Sequence, residues 1–375
     1  MEKREYRRNA YAMIYLAFCA VNGRIPKKER IEQLDLNQLF EVCQEHILTA
    51  CVAYALESVG IRNYEFTQAK EKAVRKNILL DVERKKILDC FENEHIWYMS
   101  LKGSVMKNYY PKLGMRQMSD NDILFDSNNR RKVKDIMNKS GFICKEYGVG
   151  HRDVYFKEPV CNFELHNILF TVYDSNIFYN YYSDVKSRLI SDENHSYEYH
   201  FTDEDFYLYM ISHEYKHFST GGTGVRSVLD TYVYMKKFHD SLDWDYISAE
   251  LQKLGIADFE RENRELAMKV FGGKKLSCDE KKLLDYYIFS GTYGTVSNSV
   301  KNKIARSENG SEIRYVFHRI FPTMEQVKAW YPFFYKHKIF MPFLWFIVRP
   351  LKFVFLNRKN VIAELKYLIK HNRKA

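Results

Sequence analysis

Apolar residues in the first part of the chain recur at the spacing of a helix. Between positions 36 and 56 they fall at three- and four-residue steps, which places them on one face of a single helix. A second helix is predicted for residues 65–93. Apolar stripes of this kind are typical of packing faces. We therefore predict that residues 1–94 form an N-terminal helical subdomain that carries no chemistry.

The hydrophobic pattern changes at His95, where short apolar runs replace the helical stripes. Helices are predicted for residues 105–110, which Pro111 ends, and for residues 128–140, with Gly141 as the C-terminal cap. Strands are predicted at residues 96–99, 120–125, 154–156 and 160–166. Strands interleaved with helices in one short segment predict a small α/β core with a mixed sheet at residues 95–200.

Helical periodicity returns after Thr202. Gly221, Gly222 and Gly224 mark a flexible turn between the first two of these helices. The predicted helices cover residues 203–218, 225–238, 244–253 and 260–270. The whole chain is therefore expected to have an α+β fold, in which the core is flanked by the N-terminal subdomain and by a C-terminal helical subdomain at residues 201–375.

The composition is that of a globular protein. Hydrophobic residues make up 46% of the 375 residues and aromatic residues 16%, which excludes a disordered chain. The seven cysteines are scattered without a CxxC pair, so we expect reduced thiols. The N-terminal segment lacks the apolar stretch of a secretory signal, and the longest apolar run, residues 339–348, is about half of a membrane span. These patterns predict a cytoplasmic protein.

The net charge of +10 is concentrated at the C-terminal end of the chain. From Lys336 to Ala375, ten Lys or Arg residues accompany a single acid, Glu364. Aromatic and basic residues are mixed in this tail, as in helices that lie in a membrane interface. Two alternatives stay open: the aromatic rings pack on the preceding helices while the cations reach water, or the tail binds single-stranded nucleic acid.

Two aspartates, Asp120 and Asp122, alternate at the start of a predicted strand. Strand alternation places both carboxylates on one face, a few ångströms apart, where their repulsion and desolvation favour a bound cation. Clustered oxygen ligands suit Mg²⁺. Because the pattern Asp-x-Asp is common in surface loops, its assignment as a metal site depends on the residues around it.

A Gly-Ser turn precedes these aspartates, and a third acid follows them. Gly103 lets the backbone approach a phosphate, and the helix after Ser104 offers N–H groups and a positive dipole end. Farther along the chain, Glu164 and His166 share one face of a predicted strand. Three acids around two metal ions would activate an attacking hydroxyl and neutralise charge on a triphosphate.

Taken together, these motifs resemble those of the nucleotidyltransferases related to DNA polymerase β. Within that superfamily the chain is similar to a family of uncharacterised bacterial nucleotidyltransferases with Leu-Lys-Gly, Arg, Asp-x-Asp and Glu-x-His motifs. Asn121 departs from the usual apolar residue between the two aspartates. The residues that carry the similarity are Leu101, Lys102, Gly103, Ser104, Arg116, Asp120, Asp122, Glu164, His166, His213, His217, Arg226 and Asp230.

The resemblance implies a transferase that uses Mg²⁺ or Mn²⁺ and an NTP, with ATP as the first expectation. It implies that Gly103 and Ser104 contact the triphosphate and that Lys102 or Arg116 neutralises phosphate charge. The acceptor is open: RNA, a protein, a small molecule or a glycan or lipid precursor. The catalytic and metal-binding residues implied are Asp120, Asp122 and Glu164, and those expected to line the cleft are His166, His213, His217, Arg226 and Asp230. Arg226 and Asp230, four residues apart on one helix, are also spaced for a local ion pair.

A competing motif lies in the first C-terminal helix. His213-Glu214-Tyr215-Lys216-His217 matches HExxH, in which two histidines bind zinc and the glutamate activates water. The residues that usually complete such a site are missing, because Thr220 stands where one class needs glycine and the next glutamate is Glu250. The favoured hypothesis is a metal-dependent nucleotidyltransferase. The alternatives are a zinc metallopeptidase and an inactive nucleotide- or RNA-binding module of the same fold.

Overall fold

The structure is a computed structural model that describes residues 1–148, 150–172, 174–306, 321, 324, 327, 331–349 and 351. The chain divides into two compact units. The first comprises Met1–Lys216 and Gly224–Thr292, and the second comprises His217–Thr223 and Tyr293–Ala375. The division into three subdomains at residues 94 and 200 stays a prediction.

Five helices form the N-terminal part of the first unit. The stripe between positions 36 and 56 belongs to two helices rather than one, because Ile47 adopts a φ of +53° that no α-helix tolerates. The side chains of Asp35 and Asn63 cap the third and fifth helices by accepting hydrogen bonds from backbone N–H groups of the first turn. The bounds are Lys3–Val21 (α1), Lys28–Ile31 (α2), Leu36–Glu45 (α3), Thr49–Ser58 (α4) and Tyr64–Asn93 (α5).

A mixed sheet follows, as the sequence predicts, but it has five strands instead of the four predicted. Its strand order is β1-β2-β5-β4-β3, and β2 and β5 are parallel while the other neighbouring pairs are antiparallel. The strands are Tyr98–Ser100 (β1), Asn121–Phe125 (β2), Ile143–Glu146 (β3), Arg152–Lys157 (β4) and Cys161–His166 (β5). The α-helices between them are Gly103–Met106 (α6) and Arg130–Lys139 (α7), and the 3-10 turns are Lys107–Tyr109 and Ser127–Asn129.

The two faces of the sheet differ in chemistry. On one face Ile123, Phe125 and Leu165 are fully buried in a core that also contains Phe91 of α5 and Val133 of α7. The other face carries polar residues from β2, β4 and β5. Because side chains alternate along a strand, the apolar residues fix the orientation of their polar neighbours. The apolar core thus determines which face carries the charged residues.

Helices form the rest of the first unit. The predicted bounds of residues 203–218 and 225–238 are confirmed, and the helix predicted to start at residue 260 starts at Ala257. The helices are Asn176–Tyr181 (α8), Asp203–Phe218 (α9), Val225–Phe238 (α10), Trp244–Leu254 (α11), Ala257–Val270 (α12) and Cys278–Ser290 (α13). A 3-10 turn at Val185–Arg188 and a small hairpin of Ile190–Ser191 (β6) and Tyr199–His200 (β7) lie between α8 and α9.

The second unit contains the glycine turn and the start of the basic tail. In it, Thr295 N–H donates to the Gly221 carbonyl at 2.8 Å. Phe333, Ile339 and Phe346 are exposed. Within the described part of the chain, no helix is long and apolar enough to cross a membrane. The elements are Val296–Arg306 (α14), Pro332–Lys336 (α15), Lys338–Phe340 (3-10), Met341–Phe343 (α16) and Leu344–Val348 (π-helical). Residues 352–375 of the tail lie outside the described residues, and its partners stay predictions.

Candidate active site

The parallel pairing of β2 with β5 brings two acids side by side. Asp122 is the register partner of Glu164, and His166 follows two residues later on the same face of β5. Each of the three side chains offers one ligand atom, and these atoms all lie within 4.8 Å of one another. Such a group of two carboxylates and an imidazole is able to hold a divalent metal ion.

Asp120 lies beside this group and not within it. The sequence places Asp120 on the strand with Asp122, but β2 begins at Asn121, so Asp120 belongs to the loop before it. Burial and the charge of Asp122 raise the pKa of Asp120, which Lys102, Lys76 and Arg226 oppose. Asp120 is therefore an electrostatic neighbour of the group.

Asn121 anchors the aspartate motif to α5. Its side-chain amide donates to the Leu80 carbonyl at 2.9 Å, and its carbonyl oxygen accepts from Arg84 at 3.0 Å. A buried polar side chain requires such partners. These two hydrogen bonds explain why an asparagine stands at this position. Because side chains alternate along β2, the Asp122 side chain projects from the opposite face of the sheet.

One carboxylate oxygen of Asp122 has two partners. Lys102 Nζ and His166 Nε2 each lie 2.8 Å from Asp122 Oδ1. Burial would raise the pKa of Asp122, but Lys102 and His166 hold it below the ordinary value. Burial and the charge of Lys102 lower the pKa of His166 to about 4. The imidazole is therefore neutral at pH 7, and its Nε2–H donates to the carboxylate.

The backbone of Lys102 is unusual and places its ammonium at the site. Lys102 has a φ of +46° and a ψ of −114°, a conformation that lysine rarely adopts. Backbone conformations of this kind cost about 1–3 kcal/mol and concentrate at functional sites. The residue stands immediately before the Gly-Ser turn, so the same conformation determines the position of the turn.

Glu164 is the most weakly neutralised acid of the group. Burial and the charges of Asp122 and Asp120 raise the pKa of Glu164 to about 6, against the effect of Arg152. Arg152 Nε lies 3.3 Å from Glu164 Oε2. Carboxylates that raise one another's pKa favour a bound divalent cation over the single positive charge of a lysine or arginine side chain. The donor set therefore fits a divalent metal ion, with His166 making Mn²⁺ as suitable as Mg²⁺.

The Gly-Ser turn has a different geometry from the one predicted. The helix predicted at residues 105–110 begins at Gly103 as the four-residue α6 and continues as a 3-10 turn to Tyr109, so Gly103 and Ser104 are its first residues and not a turn before it. An added Cβ at Gly103 would collide with the Arg116 guanidinium and approach Met118. Ser104 Oγ donates to the Leu101 carbonyl at 2.6 Å. The side chains of Arg116 and Met118 thus pack closely against Gly103, and a larger residue would have to displace them.

Arg116 holds the core to helix α10. Its Nε and Nη2 both donate to Asp230, each at 2.9 Å, and the Tyr110 hydroxyl donates to the same carboxylate at 2.7 Å. Arg116 is predicted to contact phosphate and Asp230 to line the cleft; in the structure the two form a buried ion pair. Arg226, the other expected cleft residue of α10, acts on Asp120 through its charge.

The HExxH residues point in different directions. Glu214 is buried among helices, where it accepts hydrogen bonds from Asn263 at 2.9 Å and from Tyr287 at 3.1 Å, while His217 is exposed. Among the described residues, the two groups that could hold a metal are Asp122, Glu164 and His166, and Asp192, His195 and Glu198. Neither contains His213 or His217.

Arg152 and Lys76 are the site residues that sequence reasoning missed. Arg152 is the register partner of His166 across β4 and β5, so its side chain shares the face of the metal-ligand group. Lys76, on α5, acts on Asp120 through its charge. Neither belongs to a motif, and only the pairing of β4 with β5 could have indicated Arg152.

Comparison with known proteins identifies one match. The model of a protein family described as uncharacterised nucleotidyltransferase matches residues 32–272, which is more than half of the chain. The match covers α5, the whole sheet and the helices as far as α12. No curated protein and no solved structure matches the chain.

Proposed function

The chain belongs to the uncharacterised nucleotidyltransferase family, and we propose on this premise that it transfers an NMP group from an NTP to an acceptor. The observation that carries the proposal is the group of Asp122, Glu164 and His166 on one sheet face, with ligand atoms within 4.8 Å of one another. The group lies inside the matched range and next to Asp120. Acids crowded in this way repel one another, and a bound cation relieves the repulsion.

In the proposed site, Asp120, Asp122 and Glu164 hold the divalent metal. A bound Mg²⁺ or Mn²⁺ would neutralise charge on the triphosphate and favour the ionised form of the acceptor hydroxyl. The protein holds the carboxylates in place through the β2 and β5 backbone and through Asn121. His166 would add a neutral nitrogen ligand from the same face once its ring proton moves from Nε2 to Nδ1.

The reaction forms one bond and breaks one. An acceptor oxygen attacks the α-phosphorus, the bond from that phosphorus to the bridging oxygen breaks, and pyrophosphate leaves. The proton of the acceptor hydroxyl passes to solvent or to a site carboxylate. ATP is the proposed donor, and RNA, a protein, a small molecule or a glycan or lipid precursor remain the candidate acceptors.

Lys102 is the proposed phosphate-neutralising cation of the turn. Its ammonium lies 2.8 Å from Asp122. Gly103 and Ser104 follow Lys102 in the chain, and we propose that these two residues lie along the triphosphate. Arg116 was the other candidate, but its guanidinium is engaged by Asp230 and is 10% exposed. We therefore assign Arg116 a structural role and leave the phosphate role to Lys102.

The proposal is tested by transfer of label. The purified chain is incubated with each α-labelled NTP, Mg²⁺ or Mn²⁺ and cell extract, and label in macromolecules and metabolites is measured. We expect Asp120→Asn/Asp122→Asn to lower transfer by at least about a thousandfold, because loss of charge stabilisation at one position alone costs 10²–10³. Thermal unfolding of both proteins controls for folding.

A matched control is available in the second acidic group. Asp192, His195 and Glu198 also place their ligand atoms within 4.8 Å of one another, outside the sheet face. Asp192→Asn/Glu198→Gln removes the same number of carboxylates and should leave transfer within about twofold of the wild type. The proposal would be contradicted if the Asp120→Asn/Asp122→Asn protein transferred as much label as the wild type, or if calorimetry detected no binding of any NTP to the wild type.

A further inference from the structure

Two cationic side chains form ion pairs with the carboxylates of the proposed metal site. Lys102 Nζ lies 2.8 Å from Asp122, and Arg152 Nε lies 3.3 Å from Glu164. We propose that Arg152 is an exchangeable counter-cation, which leaves Glu164 when a divalent metal binds and then contacts a phosphate of the nucleotide. The second part of this inference rests on the proposed function.

Strand pairing places Arg152 at the site. In the antiparallel pair of β4 and β5, Arg152 is opposite His166 and Val154 is opposite Glu164. Residues opposite one another project to the same face, and diagonal neighbours on that face are within reach of a long side chain. The guanidinium therefore reaches Glu164 from the adjoining strand, on the side that the ligand atoms occupy.

The contact that Arg152 makes is weaker than those of comparable arginines. Arg130 donates twice to Asp153, at 2.8 and 2.6 Å, and Arg116 donates twice to Asp230. In contrast, Arg152 Nε is buried and makes no hydrogen bond within the described part of the chain. Arginine binds carboxylates and phosphates most strongly through two parallel hydrogen bonds. The Nε of Arg152 is thus held at Glu164 by charge and not by a hydrogen bond.

The accessibility of Arg152 fits a side chain that moves. Its side chain is 37% exposed, against 10% for Arg116 and 17% for Glu164. A divalent ion bound to Glu164 would repel a guanidinium a few ångströms away, because like charges at this range interact strongly. A triphosphate beside the same ion offers oxygens of opposite charge in the geometry that arginine prefers. Displacement from the carboxylate and contact with phosphate are therefore two consequences of the same binding event.

The test measures Mn²⁺ binding to the full chain by electron paramagnetic resonance, first alone and then with the non-transferable analogue α,β-methylene-ATP. Arg152→Met removes the charge and keeps most of the length of the side chain. We expect Mn²⁺ alone to bind about 3- to 30-fold more tightly to this variant, because a competing cation is lost. The Mn²⁺ complex of the analogue should bind about tenfold more weakly, because a charge-assisted contact is lost.

Two further variants separate charge from geometry. Lys157→Met is the matched control, because Lys157 lies on the same strand, is 31% exposed and pairs with Glu83 at 2.8 Å. It projects from the opposite face and should change neither affinity by more than about twofold. Arg152→Lys keeps the charge without the fork, so Mn²⁺ alone should bind as to the wild type and the analogue complex more weakly.

Each outcome decides the inference. Opposite changes in the two affinities for Arg152→Met support it. Unchanged or weaker binding of Mn²⁺ alone overturns the counter-cation, and tighter binding of both ligands overturns the phosphate contact. If the wild type binds Mn²⁺ but no analogue, the proposed function and the phosphate contact are overturned together, while the shift for Mn²⁺ alone still decides the counter-cation. Thermal unfolding shows that each variant is folded.

Discussion

Glu164 is partly buried and Glu214 is fully buried, and both have raised pKa values in different surroundings. Burial and the charges of Asp122 and Asp120 raise the pKa of Glu164 to about 6. Burial, with a smaller contribution from the charge of Asp230, raises the pKa of Glu214 to about 7, against hydrogen bonds from neutral side chains. Both residues also belong to motifs that predict metal chemistry, Glu-x-His in one case and HExxH in the other. Neither the motif nor the size of the shift separates them.

The partners of each carboxylate make the difference. Glu214 lies among helices and accepts hydrogen bonds from three neutral donors, Thr231, Asn263 and Tyr287. Glu164 lies on a sheet face beside Asp122, with one loosely placed cation. A carboxyl satisfied by neutral donors needs nothing more, whereas carboxylates that crowd one another favour an external cation. The cause of a pKa shift is therefore a better guide to function than its magnitude.

The strongest test of this comparison uses the same substitution at both positions. Glu164→Gln removes a charge from the proposed metal ligands and should lower label transfer by about a hundredfold to a thousandfold, or about 3–4 kcal/mol in activation free energy. Glu214→Gln keeps shape and hydrogen bonds and should change transfer by less than about threefold. Transfer is measured at one pH above 8, where both wild-type residues are ionised. Equal losses in both variants would break the distinction.

A second test compares two arginines by stability. Arg116→Met leaves the buried Asp230 carboxylate without its bidentate partner, so we expect the free energy of unfolding to fall by about 3 kcal/mol. Arg152→Met removes a more exposed and weaker ion pair and should change the free energy of unfolding by less than about 1 kcal/mol. Urea unfolding monitored by circular dichroism gives both values. A larger loss for Arg152→Met would make Arg152 a structural residue.

The last test concerns the pH dependence that Glu214 gives to the free energy of unfolding. Its folded pKa of about 7 lies above the ordinary 4.5, so the folded state holds the proton more tightly. The stability contributed by the protonated form is complete below about pH 4.5 and is lost as pH rises through about 7, by about 3 kcal/mol in all. Glu214→Gln cannot lose this proton.

We therefore expect the difference in unfolding free energy between Glu214→Gln and the wild type to grow in favour of the variant from pH 5 to pH 8. The measurement is urea unfolding at several pH values. Comparing the variant with the wild type cancels the contribution of Glu164, which has the same sign. A difference that stays constant with pH would show that Glu214 keeps its ordinary pKa.

Local patterns predicted much of the fold. The bounds of α9 and α10 follow from apolar periodicity, and the acids of β2 and β5 follow from short motifs. The strand Ile143–Glu146 was missed because it is an edge strand with mostly exposed side chains, which gives no alternation of apolar and polar residues. The break at Ile47 was missed because the apolar spacing continues across it.

The sequence by itself determined the fold class, the family resemblance and the presence of Asp120, Asp122, Glu164 and His166, because each depends on neighbouring residues in the chain. Only the tertiary structure decided that Arg116 pairs with Asp230, that Glu214 faces the interior and that Arg152 lies beside Glu164. These relations depend on strand register and helix packing between distant segments. Local spacing does not encode them, because many pairings of the same segments satisfy the same hydrophobic pattern.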